Sequence, residues 1–475
     1  MSLSLTDPVC RPKPSKTLLG LVAFWLMAGL SPAIATEKVP TPESNKTEAH
    51  KGGHALTLAE AIDLAFAQNP DLTAASARIG EAETRVAQVA AGFYPKLMAK
   101  VGYDYTNNPA LAFSYIVAQR RFNLDPNNPS NAINNPGWVE NLRPEVIGSI
   151  NLYRGGQDSY LKLAAELGVQ SAELEHSAIR NTLAAAVTSA YYAAVSAPKQ
   201  LEVARRSSDT VNKELQLTRS RVSEGTSLRG DALSLEVRTS AASESELKAK
   251  NAITLSRSAL KTLLGNSAGE LPEPRETDLP TPVIKESFNT FFERAINQRP
   301  ELEAAGHQLK MRQHELDAAE GALLPRVNAY ASYGGNSATL SPADVKGNGS
   351  VGINAEMDLF AGGAINATIS AAERRVVEAQ AVEQKMRLEV ENEVRQAYTS
   401  LQQSLEQIQV SAKGATAAEE ALRLVREQYH GGTATVTRYL EAETDRADAS
   451  LRSILAHFEA QVAEAQLQKA IGHWR

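Results

Sequence analysis

The sequence predicts a mainly α-helical protein with a few amphipathic β-strands, built from two copies of one structural unit. Long stretches rich in Ala, Glu, Gln, Leu, Arg and Val contain few helix breakers, and only 5% of the 475 residues are aromatic. That composition is typical of long helices packed through small side chains. Short stretches in which apolar and polar residues alternate strictly indicate strands with two different faces. Motifs of the first half return in the second half in the same order.

The duplication is visible in matching phrases. Asn69-Pro70-Asp71-Leu72 matches Arg299-Pro300-Glu301-Leu302 at an offset of 230 residues, whereas Leu152-Tyr153-Arg154-Gly155-Gly156 matches Leu359-Phe360-Ala361-Gly362-Gly363 at an offset of 207. The register is constant on each side of a single 23-residue length difference. Because the halves are copies, an interpretation of either half has to fit the other.

The N-terminal segment, 1–35, has the three parts of a secretory signal peptide. Three cations precede an apolar run from Leu18 to Leu30, and Ala33-Ile34-Ala35 follows as a cleavage site. The run is too short for a stable membrane-spanning helix. The sole cysteine, Cys10, precedes the run. We therefore expect a mature chain without a thiol, a disulfide or a lipid-anchoring cysteine.

The charge balance argues against a nucleic acid partner. The full chain has a formal net charge of −6, and removing the predicted signal, with three cations and one anion, leaves −6 − 2 = −8. Binding to nucleic acid favours basic surfaces. The segment 36–55 is polar, contains prolines and glycines, and is predicted to be a flexible tail.

Each repeat is predicted to contain the same elements: an opening helix that breaks early at its Asn-Pro or Arg-Pro pair, two strands, a long helix, a glycine turn and a return helix. The first repeat is predicted over 56–265, with strands at about 96–106 and 145–153, the long helix at about 157–224 and the return helix at about 229–265. A linker follows over 266–287. The second repeat is predicted over 288–473, with strands at about 326–334 and 350–360, the long helix at about 364–430 and the return helix at about 436–472.

The connector between the paired strands accounts for the length difference. It runs from Asn107 to Pro144 in the first repeat and from Gly334 to Ser350 in the second, and the longer copy is rich in Asn and Pro. We expect it to be an exposed loop, since loops tolerate such changes in length.

The clearest alternation lies in the last predicted strand. We expect one face of this strand to contact lipid and the other to line a water-filled lumen, because such two-faced strands of about ten residues are typical of membrane barrels. A soluble sheet with the same alternation is the alternative. The predicted lipid-facing residues are Val351, Ile353, Ala355, Met357 and Leu359, and the predicted lumen-facing residues are Asn354, Glu356 and Asp358.

Four strands are too few to close a membrane barrel, which needs about eight, and lipid tolerates no open sheet edge. A helix of about 67 residues is a rod of roughly 100 Å that cannot fold into a globule by itself. The sequence therefore predicts an oligomer, with eight strands from two copies or twelve from three.

Over about residues 56–473, the chain resembles the TolC-like outer membrane efflux proteins. The resemblance lies in the duplicated order of elements, in the two phrase pairs above, and in the tip phrases VSEGTSLRGDAL and QYHGGTATVTRYLEAE. It implies a homotrimer with a 12-stranded β-barrel in the Gram-negative outer membrane, continued by a long α-helical barrel across the periplasm. It also implies a periplasmic adaptor protein and an inner-membrane pump as partners.

The same resemblance implies two sites at the periplasmic end. The turns at Gly225, Thr226, Gly432 and Thr433 would be the tips where the adaptor docks. Asp231, Arg438 and Glu441 would surround the closed entrance, with Arg438 pairing to Asp231 or Glu441 across helices. In some relatives two acidic residues occupy the positions of Arg438 and Glu441, so an all-acidic, cation-binding gate is in doubt here. Solvated charges at a helix start are the alternative, because exposed ion pairs contribute only about 0–1 kcal/mol.

No catalytic, nucleotide-binding or cofactor motif is present, so we predict neither an enzyme nor a cofactor or metal site. His307 and His314 are seven residues apart without a suitable third ligand and are interpreted as surface residues. The chain is therefore expected to be a passive outer membrane exit duct powered by its partners. Type I polypeptide secretion, instead of small-molecule or metal efflux, is one alternative, and a non-transporting helical surface or adhesion protein is another.

Overall fold

The fold is that of a computed structural model, which describes residues 55–123, 134–265, 272–275 and 281–475. The predicted signal peptide, 1–35, lies outside the described residues, as do all but the last residue of the predicted tail and half of the linker. The described part is mainly helical with one four-stranded sheet, as the sequence predicts.

The opening helix of each repeat is broken where the sequence predicts. Helices α1 (Leu58–Gln68) and α2 (Pro70–Ala90) are separated by Asn69, whose backbone is extended. The side chain of Asn69 accepts a hydrogen bond from the Asp71 amide over 2.8 Å and donates one to the Leu263 carbonyl over 2.8 Å. The break thus caps one helix and ties it to the end of the return helix.

Four antiparallel strands form the sheet in the order β1-β2-β3-β4. The strands are β1 (Lys96–Thr106), β2 (Val139–Arg154), β3 (Arg326–Asn336) and β4 (Lys346–Glu356). Each neighbouring pair is hydrogen-bonded, and no strand among the described residues lies beside the outer edge of β1 or of β4. The sheet is therefore open at both sides.

Strand β2 begins six residues earlier than the predicted 145–153. Pro144 lies inside it, opposite Val101 of β1. On the other side, continuous pairing with β3 starts only at Glu145, and Leu142 forms an isolated bridge with Ser337. Proline has no amide hydrogen to donate, so it breaks this ladder and hides the start of the strand from pattern-based prediction.

Strand β4 is shifted toward the N-terminus relative to the predicted 350–360, and the last four predicted strand residues, 357–360, fall outside it. Glu356 pairs with Arg326, the first residue of β3, so no partner backbone remains for the chain beyond it. Met357, Asp358 and Leu359 therefore lie in the connection to the next helix, and the prediction that they belong to a strand face is wrong. Asp358 forms an ion pair with Arg326 at 3.0 Å.

The long connector of the first repeat contains a helix that the sequence analysis missed. Helix α3 (Pro109–Ala118) starts at Asn108, whose side chain accepts hydrogen bonds from the amides of Ala110 and Leu111 at 3.1 and 3.3 Å. Proline at the first helical position is compatible with this start. The Asn108-Pro109 pair was the available signal, masked by the Asn- and Pro-rich surroundings.

Two very long helices, α4 (Gln157–Ser223) and α8 (Ala364–His430), have 67 residues each and a length of roughly 100 Å. Their return helices are α5 (Arg229–Leu263) and α9 (Val436–Ala470), and the second opening helix consists of α6 (Phe288–Gln298) and α7 (Pro300–Glu320). No helix in the described ranges is long and apolar enough to cross a membrane.

The two repeats are packed unequally. In α4, 21 of 67 residues are buried, whereas only 8 of 67 are buried in α8. The return helices show the reverse: α5 buries 4 of 35 residues and α9 buries 13 of 35. Helices α4 and α9 pack against each other inside the chain, but the corresponding faces of α8 and α5 remain open.

Candidate functional sites: tips, entrance charges and sheet faces

The turn after α4 is a glycine C-cap, and both residues of the phrase Gly225-Thr226 form hydrogen bonds to the end of the helix. Gly225 has φ +75°, and its amide donates to Val222 while the Thr226 amide donates to Arg221, over 3.1 and 2.8 Å. This is the Schellman arrangement, which satisfies free carbonyls at a helix end. The Thr226 hydroxyl also donates to the Arg221 carbonyl over 3.1 Å.

The turn after α8 has the same geometry. Gly432 has φ +76°, the Thr433 amide donates to Gln428 over 2.9 Å, and the Thr433 hydroxyl donates to the same carbonyl over 3.1 Å. The repeated Gly-Thr is therefore a structural requirement of both turns. Both turns are exposed, so their surfaces are free to bind a partner.

The three entrance candidates do not form one cluster within a chain. Arg438 and Glu441 pair at 3.3 Å, but they lie three residues apart on α9, with exposed fractions of 59% and 58%. Asp231 accepts a hydrogen bond from Ser227 over 3.3 Å. The expected pairing of Arg438 across helices is therefore absent from the described contacts of the single chain, and the observed pair is a solvated one.

Just inside the tips lies a buried polar cluster that the sequence analysis missed; we call it the tip cluster. Glu443 and Arg446 of α9 pair at 2.5 Å and are 0% and 2% exposed. Glu214 of α4 is also buried and lies 3.6 Å from His430 at the end of α8. Buried carboxylates require such partners. The cluster therefore ties together three helices where the tube would end.

Aromatic contacts complete the tip cluster. Tyr429 of α8 stacks on Tyr439 of α9 with ring centroids 5.3 Å apart, and its hydroxyl lies 3.3 Å from that of Thr218. Burial and the nearby Glu214 carboxylate raise the pKa of Tyr439 to about 12. Tyr439 therefore stays neutral at physiological pH. No local pattern reveals this cluster, because Glu214 and His430 are far apart in sequence.

The second helix break carries another ion-pair group. Arg299, in the phrase that matches Asn69-Pro70, is 6% exposed and pairs with Glu301 at 3.1 Å and with Glu393 of α8. Lys469 at the end of α9 pairs with Glu393 at 3.1 Å. Burial alone would raise the pKa of Glu393, but the pairs with Arg299 and Lys469 lower it. This group joins the break to the long and return helices.

The sheet has one apolar and one polar face, and the faces agree across all four strands. The register puts Val351 beside Ala331 and Ile353 beside Ala329, and Ala329 in turn beside Ile150. Val351 and Ile353 are 84% and 69% exposed in the single chain. Asn354 and Glu356 alternate with them and lie on the other face, together with the residues Asn328, Asn141 and Asp104 of the neighbouring strands.

A family model for "Outer membrane efflux protein" matches residues 61–266 and 292–473, which together cover most of the chain and both repeats. The chain belongs to the outer membrane efflux protein family. Membership makes it an outer membrane channel protein of Gram-negative bacteria. The predicted family, the mainly helical fold with few strands and the outer membrane location are confirmed.

Relatives and solved structures agree with this membership. The TolC outer membrane protein of Vibrio cholerae is 23% identical over 313 residues, covering 65% of this chain and 72% of the relative. The alkaline protease secretion protein AprF of Pseudomonas aeruginosa is 26% identical over 264 residues, 54% of either chain. The Vibrio cholerae outer membrane protein VceC superposes with a TM-score of 0.71 at 20% identity, covering 87% of this efflux protein and 96% of VceC.

The histidines of α7 have separate neighbours. His307 lies 3.9 Å from Glu303, and His314 lies 3.4 Å from Asp317 and stacks on Tyr160. Across the described residues, no three His, Cys, Asp or Glu side chains converge as a metal site requires. Family and fold are those of passive channels.

Proposed function

We propose that this efflux protein is a homotrimer that serves as the outer membrane exit duct of a tripartite export system. The four-stranded sheets of three copies close a 12-stranded barrel, and the long helices form one tube across the periplasm. A periplasmic adaptor docks on the tips at Gly225-Thr226 and Gly432-Thr433, and an inner-membrane pump supplies the energy. Val351, Ile353 and Ala355 face lipid, whereas Asn354 and Glu356 face the lumen.

The observation that carries this proposal is the unequal packing of two equivalent repeats. Helix α5 leaves large apolar side chains uncovered, although the matching helix α9 is packed against α4. The open edges of β1 and β4 have the same need for a partner. A second copy supplies both, because α5 then packs on α8 of the neighbour as α9 packs on α4 within the chain. The exposed apolar residues of α5 are Leu233, Val237, Leu247 and Leu255.

Small molecules or metal ions are the proposed cargo class, selected at the pump. The similarity to AprF favours one second candidate, the exit duct of type I polypeptide secretion. The same architecture can serve either cargo class, so the pump and adaptor that dock on the tips would decide between efflux and polypeptide secretion.

The test is to purify the mature chain from outer membranes in detergent and measure its mass by light scattering, with a deletion strain complemented in parallel. The proposal expects a trimer, and expects antibiotic, dye or metal resistance to be lost on deletion and restored by the gene. A stable monomer in detergent contradicts it. Unchanged resistance together with loss of a secreted polypeptide selects the second candidate.

A further inference from the structure

Helix α3 lies against the polar face of the sheet, at the end remote from the long helices. Gln119, which caps the helix, is 1% exposed and donates hydrogen bonds to the Asn141 side chain over 3.1 Å and to the Glu140 carbonyl over 2.7 Å. Asn141 in turn donates to the Asn336 side chain over 2.9 Å. These asparagines lie on the same face as Asn354 and Glu356. The helix therefore covers the lumen-facing side of the strands.

Two more contacts tie α3 to this face. Tyr115 lies close to Asp104, a polar-face residue of β1. Arg120, just after the helix, donates to the Gly347 carbonyl of β4 over 3.1 Å. With the contacts of Gln119, hydrogen bonds hold this end of the helix on β2 and β4.

The backbone at Arg120 also indicates a fixed helix. Arg120 has φ 55° and is the only residue other than glycine with a positive φ among the described residues. A residue with a side chain rarely adopts this conformation, because its Cβ then lies too close to the following carbonyl oxygen. It persists only where the surroundings determine it, which here are the buried Gln119 on one side and the bond to Gly347 on the other.

Among the described residues, Phe122 contacts the edge of the outer face of α3, the one turned away from the sheet, where its ring meets that of Phe113 edge-on at 5.2 Å, and no contact is found at the centre of that face. At 100° per residue, Ala112, Ile116 and Gln119 point to the sheet, whereas Ser114 and Val117 point away. Val117 is 46% exposed. The large apolar side chains Leu111 and Phe113 flank this outer face and are 48% and 36% exposed.

The radius of a 12-stranded barrel indicates what would cover the outer face of α3. Twelve strands about 4.8 Å apart and tilted by about 40° close a cylinder with a backbone radius of roughly 12 Å. A helix about 10 Å across that lies on the inner wall reaches most of the way to the axis, whatever its direction. Three such helices at one end of the barrel come into contact.

We propose that the α3 helices of three copies pack on one another at the barrel axis and close its outer mouth with an apolar plug. Each copy's Val117, with Leu111 and Phe113 beside it, is covered by α3 of the other two copies. Cargo that leaves the duct then has to displace α3, so the exit is a second barrier besides the periplasmic entrance. The inference rests on the proposed homotrimer and goes beyond it.

Cross-linking of single-cysteine variants tests the plug. The sequence has no cysteine after Cys10, so Ser114→Cys introduces the only thiol beyond the predicted signal by a nearly isosteric change on the outer face of α3. Oxidation of the trimer in outer membranes with copper phenanthroline should join two of its three chains. The control is Val351→Cys on the opposite face of the sheet, 84% exposed, which should stay monomeric on denaturing gels because those positions lie outside the barrel.

Conductance in planar bilayers supplies the second measurement. The double variant Phe113→Ser, Val117→Ser weakens the apolar contact and should increase the open fraction of the channel, whereas a disulfide through Ser114→Cys should reduce conductance until a reductant is added. A trimer in which Ser114→Cys does not cross-link and conductance does not respond overturns the plug but leaves the duct intact. Failure of every variant and of the unmodified chain to form trimers overturns the proposed function itself.

Discussion

Asn181 of α4 donates a hydrogen bond from its side-chain amide to the carbonyl of Lys469, at the end of α9, over 2.8 Å. The residue that corresponds to Asn181 in the second repeat is Leu388, which is 67% exposed, and the residue that corresponds to Lys469 in the first is Thr262. The first pair holds one repeat on the other. Leu388 has no side-chain donor, and no contact between it and Thr262 is found among the described residues. In the proposed trimer, Leu388 of one copy would instead pack beside Thr262 of a neighbouring copy.

Cysteines at Leu388 and Thr262 should therefore join different chains. In the double variant Leu388→Cys, Thr262→Cys, oxidation of a homotrimer should give covalent dimers and trimers on denaturing gels, because each interface contains one pair. The matched control is Asn181→Cys, Lys469→Cys, which should form its disulfide within one chain and keep the monomer mass. Intrachain bonds alone in the first variant would contradict the proposed arrangement of copies.

A charge on the apolar face of β4 should prevent assembly. Ile353→Arg puts a cation where we propose lipid contact, at a cost of about 2–4 kcal/mol if the residue lies near the bilayer midplane. Glu356→Arg, three residues away on the polar face, should assemble almost normally. Heat-stable trimers in outer membrane fractions give the measurement. Equal assembly of the two variants would mean that the faces are assigned the wrong way or that the sheet does not meet lipid.

Replacement by alanine should change stability in opposite directions at two glycines, Gly414 within α8 and Gly432 in the turn after it. Gly432 at the tip has φ +76°, so Gly432→Ala should destabilise the turn by about 1–2 kcal/mol although no atom lies within 4 Å of the added Cβ. Gly414, within the helix, also has open space, and Gly414→Ala should stabilise the helix by about 0.5–1 kcal/mol. Hydrogen exchange of the amides at 425–436 and around 414 measures both. If Gly432→Ala left amide exchange at the tip unchanged, the role of this turn as a helix cap would be contradicted.

Two ion pairs on α9 share the same three-residue spacing and differ in burial and in the order of their charges. Removal of one partner from the buried pair, by Glu443→Ala, should cost about 3–5 kcal/mol, since an unpaired buried cation remains at Arg446. The control, Glu441→Ala, breaks the exposed pair with Arg438 and should cost about 0–1 kcal/mol. Denaturant unfolding followed by circular dichroism, with hydrogen exchange at the tip, compares them. If the two variants lost similar amounts of unfolding free energy, the buried pair would be no more important for stability than the exposed one.

The proposed role of Arg438 at the closed entrance can be tested by channel conductance. If Arg438 closes the entrance together with residues of a neighbouring copy, Arg438→Ala should increase the leak of the closed channel in planar bilayers, and high salt should reproduce the increase by screening. The observed partner of Arg438 is an exposed glutamate on its own helix. An unchanged leak would therefore leave Arg438 and Glu441 as ordinary surface charges.

Acid should weaken the second helix break through Glu393. Because its ion pairs lower the pKa of Glu393 in the folded chain, they add stability above the ordinary carboxyl pKa of 4.5, and this stability is lost as the pH falls through the lowered value. Glu393→Gln should thus be less stable than the parent at pH 7, and the difference should shrink as the pH falls below 4.5. The control is Glu391→Gln, whose pair with Arg395 lies on the exposed side of α8. A parent chain whose melting temperature falls no more steeply with acid than that of Glu393→Gln would contradict this.

Local rules predicted the elements whose causes are local. The Asn69-Pro70 break follows from proline geometry, and the turns at Gly225 and Gly432 follow from the backbone that a helix end needs. The strand ends were missed for a different reason: the start of β2 is defined by pairing with β1 across Pro144, and the end of β4 by the first residue of β3. Partner strands decide such limits, and a pattern within one strand does not contain them.

The tip cluster and helix α3 required tertiary information. Glu214 meets His430 only because two long helices lie side by side, and neither residue stands out in its own segment. Asn108 and Pro109 do form a helix-start signal, but the surrounding asparagines and prolines favoured a loop. The residues beyond Glu356 were assigned to a strand because their alternation continues after the pairing has ended.

The glycine contact between repeats predicts a difference between the two kinds of helix seam in a trimer. Gly155 approaches the backbone of Gly321 so closely that an added Cβ would lie 2.1 Å from its carbonyl oxygen, whereas nothing surrounds its counterpart Gly362 in the isolated chain. The residue that corresponds to Gly321 in the first repeat is Ala91, and a Cβ added at Gly321 itself would lie 2.5 Å from the carbonyl oxygen of Gly155. At this height the helices of neighbouring subunits would therefore lie farther apart than the helices of the two repeats within one subunit.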